Sequence, residues 1–205
     1  MLALLFEKPM HPYEISSTLR FRHKEDSIKI NYGSLYAVVE SLEKKGLIEA
    51  REKLRDSRRP ERTVYALTAT GSAALSEWLS ELFAEPSRQF TDFEAALSLM
   101  PALPLETVQA LLARRLTVLA AESQRYERLH ADNQDFPRLF SIEGEYQQAL
   151  RAAEITFVRA LLEDLAADTF GGADIWRRAH ELKAERPGDD LLAALTAEFP
   201  GRLQP

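Results

Sequence analysis

The sequence contains no cysteine, and this single absence excludes several kinds of chemistry. Disulfide bonds, zinc sites built on thiolates and cysteine nucleophiles cannot form, and the composition is compatible with a reducing cytosol. Histidine is scarce as well, and no two of the four residues have the i, i+4 spacing that a helical metal site needs. We therefore expect neither a metal ion nor another cofactor.

Long apolar runs and short catalytic motifs are also missing. No run approaches the roughly 20 apolar residues that span a bilayer. The apolar start Met1–Phe6 lacks a basic leader and is too short for the core of a signal peptide. Phosphate-binding glycine loops and serine nucleophile elbows do not occur. These absences favour a cytoplasmic protein without enzymatic activity and without a membrane as its partner.

Charge is distributed unevenly along the 205 residues, although the formal net charge is only −6. Residues 1–70 contain 13 Lys and Arg against 10 Asp and Glu, a net charge of +3. Residues 71–205 contain 13 Lys and Arg against 22 Asp and Glu, a net charge of −9. This asymmetry suggests an anion-binding module joined to a second, acidic part.

The first third of the chain predicts short helices followed by a β-hairpin. Apolar residues at helical spacing favour helices over 2–7, 13–20 and 32–45. The period then changes, and β-prone runs at 47–51 and 63–67 flank a basic loop that is rich in turn residues. The expected core residues of this part include Leu35, Val38, Val39, Leu42 and Ile48.

Helices followed by a hairpin, in this order, are typical of a winged helix-turn-helix. A helix such as that over 32–45 fits the major groove of B-DNA, and the hairpin can reach an adjacent groove or the phosphates. Thr68 is positioned to cap one further helix, and Glu85–Ser87 marks a boundary. We therefore predict a mostly α-helical protein whose residues 1–84 form a winged helix-turn-helix domain with a small β-hairpin.

The helix over 32–45 carries polar groups where it would meet DNA. Lys29 precedes this helix and supplies a cation for a phosphate. The residues at the end of the helix that would meet base edges are Asn31, Tyr32 and Ser34. Glu40 and Glu43 would repel phosphates, so we expect the DNA-facing edge to exclude them.

Other candidates for DNA contacts lie on either side of this helix. Tyr13 and Tyr36 are candidates for contacts with the DNA backbone, and packing between helices is the alternative. In the hairpin loop, the candidates for phosphate or minor-groove contacts are Arg58, Arg59 and Arg62. The alternative for the arginines is a charged loop that is simply solvated. Their position between two strands, after a pair of helices, favours contact with DNA.

Five segments of this region together resemble the PadR-type transcriptional regulators. The segments are HPYEI at 11–15, YGSLY at 32–36, LEKKGLI at 42–48, RPERTVY at 59–65 and LTATG at 67–71. The resemblance implies a homodimer that binds a palindromic operator, usually as a repressor, and a small-molecule effector that changes its affinity for DNA. The family usually has glycine where Pro12 stands, so the start of the second helix is expected to differ.

The remainder of the chain predicts long helices. A short helix over 93–100 precedes helices over about 105–131 and 143–169, and two weaker helices follow over 174–185 and 189–198. Long apolar stripes on both long helices predict an antiparallel hairpin that pairs with a second copy. The predicted dimer-interface residues are Leu105, Leu112, Leu119, Tyr126, Phe157 and Leu161.

Residues 85–205 are therefore predicted to form an α-helical domain for dimerisation, which is also where an effector would bind. This part is similar to the helical dimerisation domain of the larger PadR-like proteins. Its aromatic side chains, Phe93 and Trp176 among them, are expected to be core or dimer contacts more often than ligand contacts.

Two functions remain open from the sequence. A DNA-binding transcriptional regulator is favoured by the charge asymmetry and the order of elements. The alternative is a winged-helix adaptor whose hairpin binds an acidic protein partner without DNA, because this fold serves both purposes.

Overall fold

The computed structural model of the chain describes residues 1–54, 62–131 and 137–203. The chain divides into two compact units, Met1–Gln89 and Phe90–Pro205. Both units are mainly helical, and the first contains a two-stranded antiparallel sheet. The prediction of a mostly α-helical chain with a winged helix-turn-helix and long antiparallel helices is confirmed. No helix in the described ranges is both long enough and apolar enough to cross a membrane.

The first unit has the predicted order of elements. The helices and strands are α1 (Leu2–Glu7), α2 (Pro12–Phe21), α3 (Leu35–Lys44), β1 (Ile48–Leu54), β2 (Arg62–Leu67) and α4 (Ala69–Ala84). Short 3-10 turns at Lys24–Asp26 and Tyr32–Ser34 lie between α2 and α3. The helix predicted over 32–45 is thus a 3-10 turn that continues into α3.

Pro12 begins α2 without distorting it. Proline is tolerated at the first helical position because its missing N–H would have no partner there. His11 caps the helix, and its Nδ1 accepts a hydrogen bond from the Tyr13 backbone N–H at 3.0 Å. The departure from the family pattern at this position is therefore compatible with a regular start of α2.

The core of the first unit joins α1, α2, α3 and the base of the hairpin. Its buried residues are Leu4, Leu5, Met10, Ile15, Leu35, Val39 and Ile48. Met10 also exchanges two backbone hydrogen bonds of 3.0 Å with Tyr65, which attaches the α1–α2 connection to β2. The prediction of Val38 as a core residue is wrong, since its side chain is 41% exposed on α3.

A close backbone contact holds α4 against the base of the hairpin. Thr68 caps α4 as predicted, accepting from the Gly71 N–H at 2.9 Å, and its hydroxyl donates to the Gly46 carbonyl at 2.7 Å. A Cβ at Gly71 would lie 1.9 Å from the Leu47 carbonyl oxygen. Only glycine therefore fits at position 71 in the first turn of α4.

The second unit is built on two long helices. Its helices are α5 (Asp92–Ser98), α6 (Leu105–Ala131), α7 (Ile142–Ala166), α8 (Ala173–Glu185) and α9 (Leu191–Glu198). The core packs α6, α7 and α8 around the buried residues Leu105, Val108, Leu112, Val158, Leu161, Leu165, Ala173 and Trp176. The bounds of α6 agree with the predicted 105–131.

Cross-helix contacts show that α6 and α7 run antiparallel. Arg115 Nε donates to Glu154 Oε1 at 2.5 Å, and further along α6 Arg151 of α7 donates to Glu122 at 3.3 Å. Near the far end, a Cβ at Gly144 would lie 2.8 Å from the Tyr126 ring. Residue numbers rise along α6 as they fall along α7, as the predicted helical hairpin requires.

We expect Gly71→Ala to destabilise the first unit severely. The added methyl group collides with the backbone carbonyl of Leu47, which cannot move as a side-chain end would. The expected loss in the free energy of unfolding is at least about 2 kcal/mol, measured by urea denaturation followed by circular dichroism. Gly171→Ala is the matched control, because a Cβ there meets nothing within 4 Å. Equal losses in the two variants would contradict the packing argument.

Candidate nucleic-acid interface

The entry to α3 is a capped 3-10 turn. Asn31 Oδ1 accepts from the Gly33 backbone N–H at 3.0 Å, and Ser34 Oγ donates to the Asn31 carbonyl at 3.0 Å. Two of the three residues predicted to meet base edges therefore also shape the backbone at this end of the helix. The Asn31 side-chain amide N–H groups and the Ser34 lone pairs remain chemically suited to hydrogen bonds with base edges.

Tyr32 is held by Arg20 from the last turn of α2 and by Glu25 from the 3-10 turn that follows α2. The Arg20 guanidinium lies 4.3 Å from the centre of its ring, and its hydroxyl donates to Glu25 Oε2 at 3.3 Å. Partial burial and the Glu25 carboxylate raise the pKa of the Tyr32 hydroxyl above its ordinary value. The hydroxyl thus stays a protonated donor at neutral pH, and the ring helps to fix Arg20 beside the start of α3.

The first turn of α3 presents a surface without carboxylates. Each residue turns the helix by about 100°, so Ala37 lies opposite the buried Leu35 and Val39. Tyr36 is 64% exposed beside it. Glu40 is exposed one turn further on, so acidic groups enter only beyond the N-terminal turn. This is the end of a recognition helix that meets base edges in helix-turn-helix proteins.

Tyr13 and Lys29, which are the predicted DNA contacts that precede the 3-10 turn and α3 in the chain, are also exposed. Tyr13 projects from the first turn of α2 with 67% of its surface exposed, and Lys29 is exposed in the segment before the 3-10 turn. For Tyr13 and Tyr36 the exposure argues against packing between helices as their main role. Both rings are accessible to a partner.

The hairpin carries a bulge in the middle of β1. The register shifts between Ala50 and Glu52, so Arg51 is the extra residue of β1. A bulge bends the strand and redirects its side chain. Arg51 is exposed, and its Nε lies 3.6 Å from the Glu49 carboxylate. This arginine was not among the predicted DNA contacts, because an irregular strand register leaves no mark in the hydrophobic pattern.

The three predicted hairpin arginines are placed only in part. Arg58 and Arg59 lie outside the described residues. Arg62 begins β2, where its backbone pairs with that of Leu54. The contribution of these arginines to DNA binding stays a prediction.

The six predicted dimer-interface residues fall into two groups in the second unit. Leu105, Leu112 and Leu161 are buried within the single chain, in the core between α6, α7 and α8. Leu119 and Tyr126 are half-buried, and Phe157 is 50% exposed. Burial within one chain removes the first three from a surface that a second copy can reach, so Phe157 is the residue of this set most accessible to a partner.

Phe157 and six apolar side chains that were not predicted as interface residues form an exposed surface on the long helices. On α7 it consists of Ile142, Tyr146, Leu150 and Phe157, and on α6 of Leu111, Val118 and Leu129. At about 100° per residue, each set occupies one side of its helix, rotated by roughly 90° from the side that faces the core. We call these seven residues the outer apolar face.

Metal binding has no support in the described ranges, where no group of His, Asp and Glu side chains is arranged to hold an ion. The first unit is distinguished by an exposed helix start, by the exposed Lys29 that precedes it in the chain, and by a hairpin whose connecting segment is basic in sequence. These features suit contact with a polyanion.

Known proteins match part of this chain in sequence. The sequence model of the transcriptional regulator PadR-like family matches residues 1–77. An uncharacterized protein from Lysinibacillus sphaericus is 39% identical over 82 residues, which are 40% of this chain and 72% of that protein.

Solved structures resemble a larger share of the chain. Bacillus subtilis PadR, solved in complex with operator DNA, superposes with a TM-score of 0.65 at 16% identity and covers 80% of this chain and 95% of its own. The same protein in complex with p-coumaric acid gives a TM-score of 0.65 at 15% identity, with the same coverage of 80% and 95%. The Vibrio cholerae virulence activator AphA gives 0.60 at 20% identity and covers 82% of this chain and 96% of its own.

The structural matches show a shared fold in both units, whereas the sequence match covers α1 to α3, the hairpin and the first half of α4. Since the segments that match in sequence are those that build the winged helix-turn-helix, the chain belongs to the PadR-like family of transcriptional regulators.

Proposed function

We propose that the protein is a transcriptional repressor that binds a palindromic operator as a homodimer and responds to a small-molecule effector. Residues 1–84 would hold the DNA, and residues 85–205 would join the two copies. The observation that carries the proposal is the exposed first turn of α3, which has no carboxylate of its own and follows the exposed Lys29 in the chain, together with a hairpin whose connecting segment is basic in sequence.

Electrostatics support the DNA-binding role of the first unit. Its net positive charge is concentrated in the hairpin region, where lysine and arginine displace counterions from the phosphate backbone. The polar start of α3 suits base edges, and exposed Ala37 suits the methyl group of thymine. Bacillus subtilis PadR, which has this fold, forms a complex with operator DNA.

The outer apolar face supports a homodimer. Seven large apolar side chains on one side of two long helices form a patch of the kind that a soluble protein usually covers with a partner. Two copies related by a two-fold axis would bind half-sites one helical turn of DNA apart, about 34 Å, or a multiple of that spacing. A palindromic operator follows from this symmetry.

Response to an effector is supported by the p-coumaric acid complex of Bacillus subtilis PadR.

The repressor assignment follows the resemblance to the family, and a transcriptional reporter with the chain's own promoter tests it. Deleting the gene should raise reporter expression. A fall in expression would instead indicate an activator, the role that the name of AphA gives to that protein.

We expect Ala37→Glu to abolish specific DNA binding while leaving the fold intact. The new carboxylate would face the groove and its phosphates, and like-charge contacts of this kind weaken binding by about 100-fold or more. Fluorescence anisotropy with the duplex that flanks the gene measures the affinity. Ala73→Glu, an exposed alanine on α4, introduces the same charge and should change little. Unchanged binding by Ala37→Glu would exclude α3 as the recognition helix.

The double variant Arg58→Ala/Arg59→Ala should weaken binding to every duplex and flatten its salt dependence. Each lost phosphate contact lowers the slope of log affinity against log salt by about one. Titrations at several salt concentrations give this slope. Arg114→Ala, an exposed arginine on α6, is the control. If the slope stays at the wild-type value, the hairpin does not contact phosphates, and binding to an acidic protein becomes the better explanation for its charge.

Leu150→Asp should convert the dimer to a monomer without unfolding the second unit. Leu150 is 54% exposed in the middle of the outer apolar face, so a carboxylate there remains hydrated in the single chain but would be buried in the dimer. Light scattering should report the 23.2 kDa of one chain. Leu192→Asp on α9 is the control for an exposed leucine elsewhere in the unit. A dimer that survives Leu150→Asp would place the interface on another surface.

A further inference from the structure

We infer that the second unit contains a binding site for an uncharged, largely apolar small molecule, in a cavity between α5, the 3-10 turn at Met100–Ala102 and the first half of α6. The site lies wholly within this unit. Its proposed role in regulation rests on the proposed function, whereas its existence does not.

The cavity has the size and surface of a ligand site. Its volume is about 420 Å³, within the range of roughly 300–1,000 Å³ typical of small-molecule pockets. It reaches inward to Val108 and Leu112, which belong to the buried core, and opens outward at Leu99, Leu103 and Leu111. Almost all of its lining is apolar, so bound water would find few hydrogen-bond partners there.

Hydrogen bonds from α8 hold one wall of the cavity in place. The Trp176 indole N–H donates to the Leu103 carbonyl at 2.8 Å. His180 Nε2 lies 3.0 Å from the Pro101 carbonyl and donates to it, because a carbonyl oxygen can only accept. The segment between α5 and α6 is therefore fixed by two side chains from another helix, and the cavity is formed before any ligand arrives.

Arg115 is the single charged residue among those that line the cavity, and its charge is already balanced. Its Nε donates to Glu154 Oε1 at 2.5 Å, and its guanidinium lies 3.9 Å from the centre of the Phe93 ring. An anionic ligand would meet the Glu154 carboxylate beside the same guanidinium and would lose its hydration in an apolar space. An uncharged molecule avoids both penalties and can still accept a hydrogen bond from an Nη group.

The position of Leu111 gives the site a route to regulation. This residue lines the mouth of the cavity and also begins the outer apolar face on α6. A ligand beneath Leu111 would displace this end of the face on which we propose that two copies meet. If that interface sets the distance between the two recognition helices, a ligand bound in the cavity would change the affinity of the dimer for DNA.

The test uses a matched pair of fluorescent probes on the full chain without DNA. N-phenyl-1-naphthylamine is uncharged, and 8-anilino-1-naphthalenesulfonate has the same ring skeleton with an added sulfonate. We expect the neutral probe to saturate at one per chain and to bind at least about tenfold more tightly than the anionic one. Equal affinities would overturn the assigned ligand class.

Two tryptophan substitutions on α5 locate the probe. Ala96 lines the cavity, whereas its neighbour Ala95 does not, and both are exposed. Ala96→Trp should weaken binding of the neutral probe by about tenfold or more, and Ala95→Trp should leave it unchanged. If Ala96→Trp alters the circular dichroism spectrum, Ala102→Trp repeats the test from the 3-10 turn, where Ala102 also lines the cavity. Binding that neither cavity variant weakens would place the probe elsewhere and overturn the site.

Two further measurements separate the remaining outcomes. If Ala96→Trp dissociates the dimer in light scattering and Ala95→Trp does not, a second copy occupies the cavity and the ligand site is wrong. The shift in operator affinity with saturating neutral probe then tests regulation on its own. A chain that binds no duplex would refute the proposed function, while the probe titration would still decide the site.

Discussion

The first unit depends on one close approach between backbones, at the point where the first turn of α4 meets the base of the hairpin. Gly71 leaves no room for a side chain against the Leu47 carbonyl, and Thr68 links the same turn to Gly46. These contacts join the end of α3, the start of β1 and the start of α4 within a few residues. The backbone contact at Gly71 therefore fixes α4 against the base of the hairpin, and the Thr68 hydroxyl ties the same turn to the residues that follow α3.

This constraint explains why the polar start of α3 can be exposed without loss of order. The helix is fixed on its inner side by Leu35 and Val39 and at its end by the turn at Gly46, whose φ of +68° is a left-handed conformation that glycine adopts readily. The 3-10 turn that precedes it is capped locally by Asn31. A surface that is preorganised in this way can meet a duplex with little further ordering.

Much of the fold could be predicted from sequence because its signals are local. The cap at Thr68, the hairpin and the bounds of α6 each follow from a few neighbouring residues. The outer apolar face could not be predicted as a set, because the apolar stripe of α7 advances on average by slightly more than one helical turn per step. This stripe consists of Tyr146, Leu150, Ala153, Phe157, Leu161 and Leu165. Over that distance it moves about 100° around α7, so its first half is exposed and its second half is buried. The cavity could not be predicted from the sequence either, since only the tertiary structure shows that Phe93 stacks with Arg115 beside an open space.

The length of α6 has a mechanical consequence. A helix of 27 residues is about 40 Å long and behaves as a stiff lever when its first turns are pushed. A pivot of only about 5° near Leu111 would sweep the distal tip through roughly 2–3 Å, on the scale of the shifts that distinguish alternative states of regulatory proteins. A ligand no larger than two fused rings, bound near Leu111, would in this way displace the distal end of α6 without contacting it.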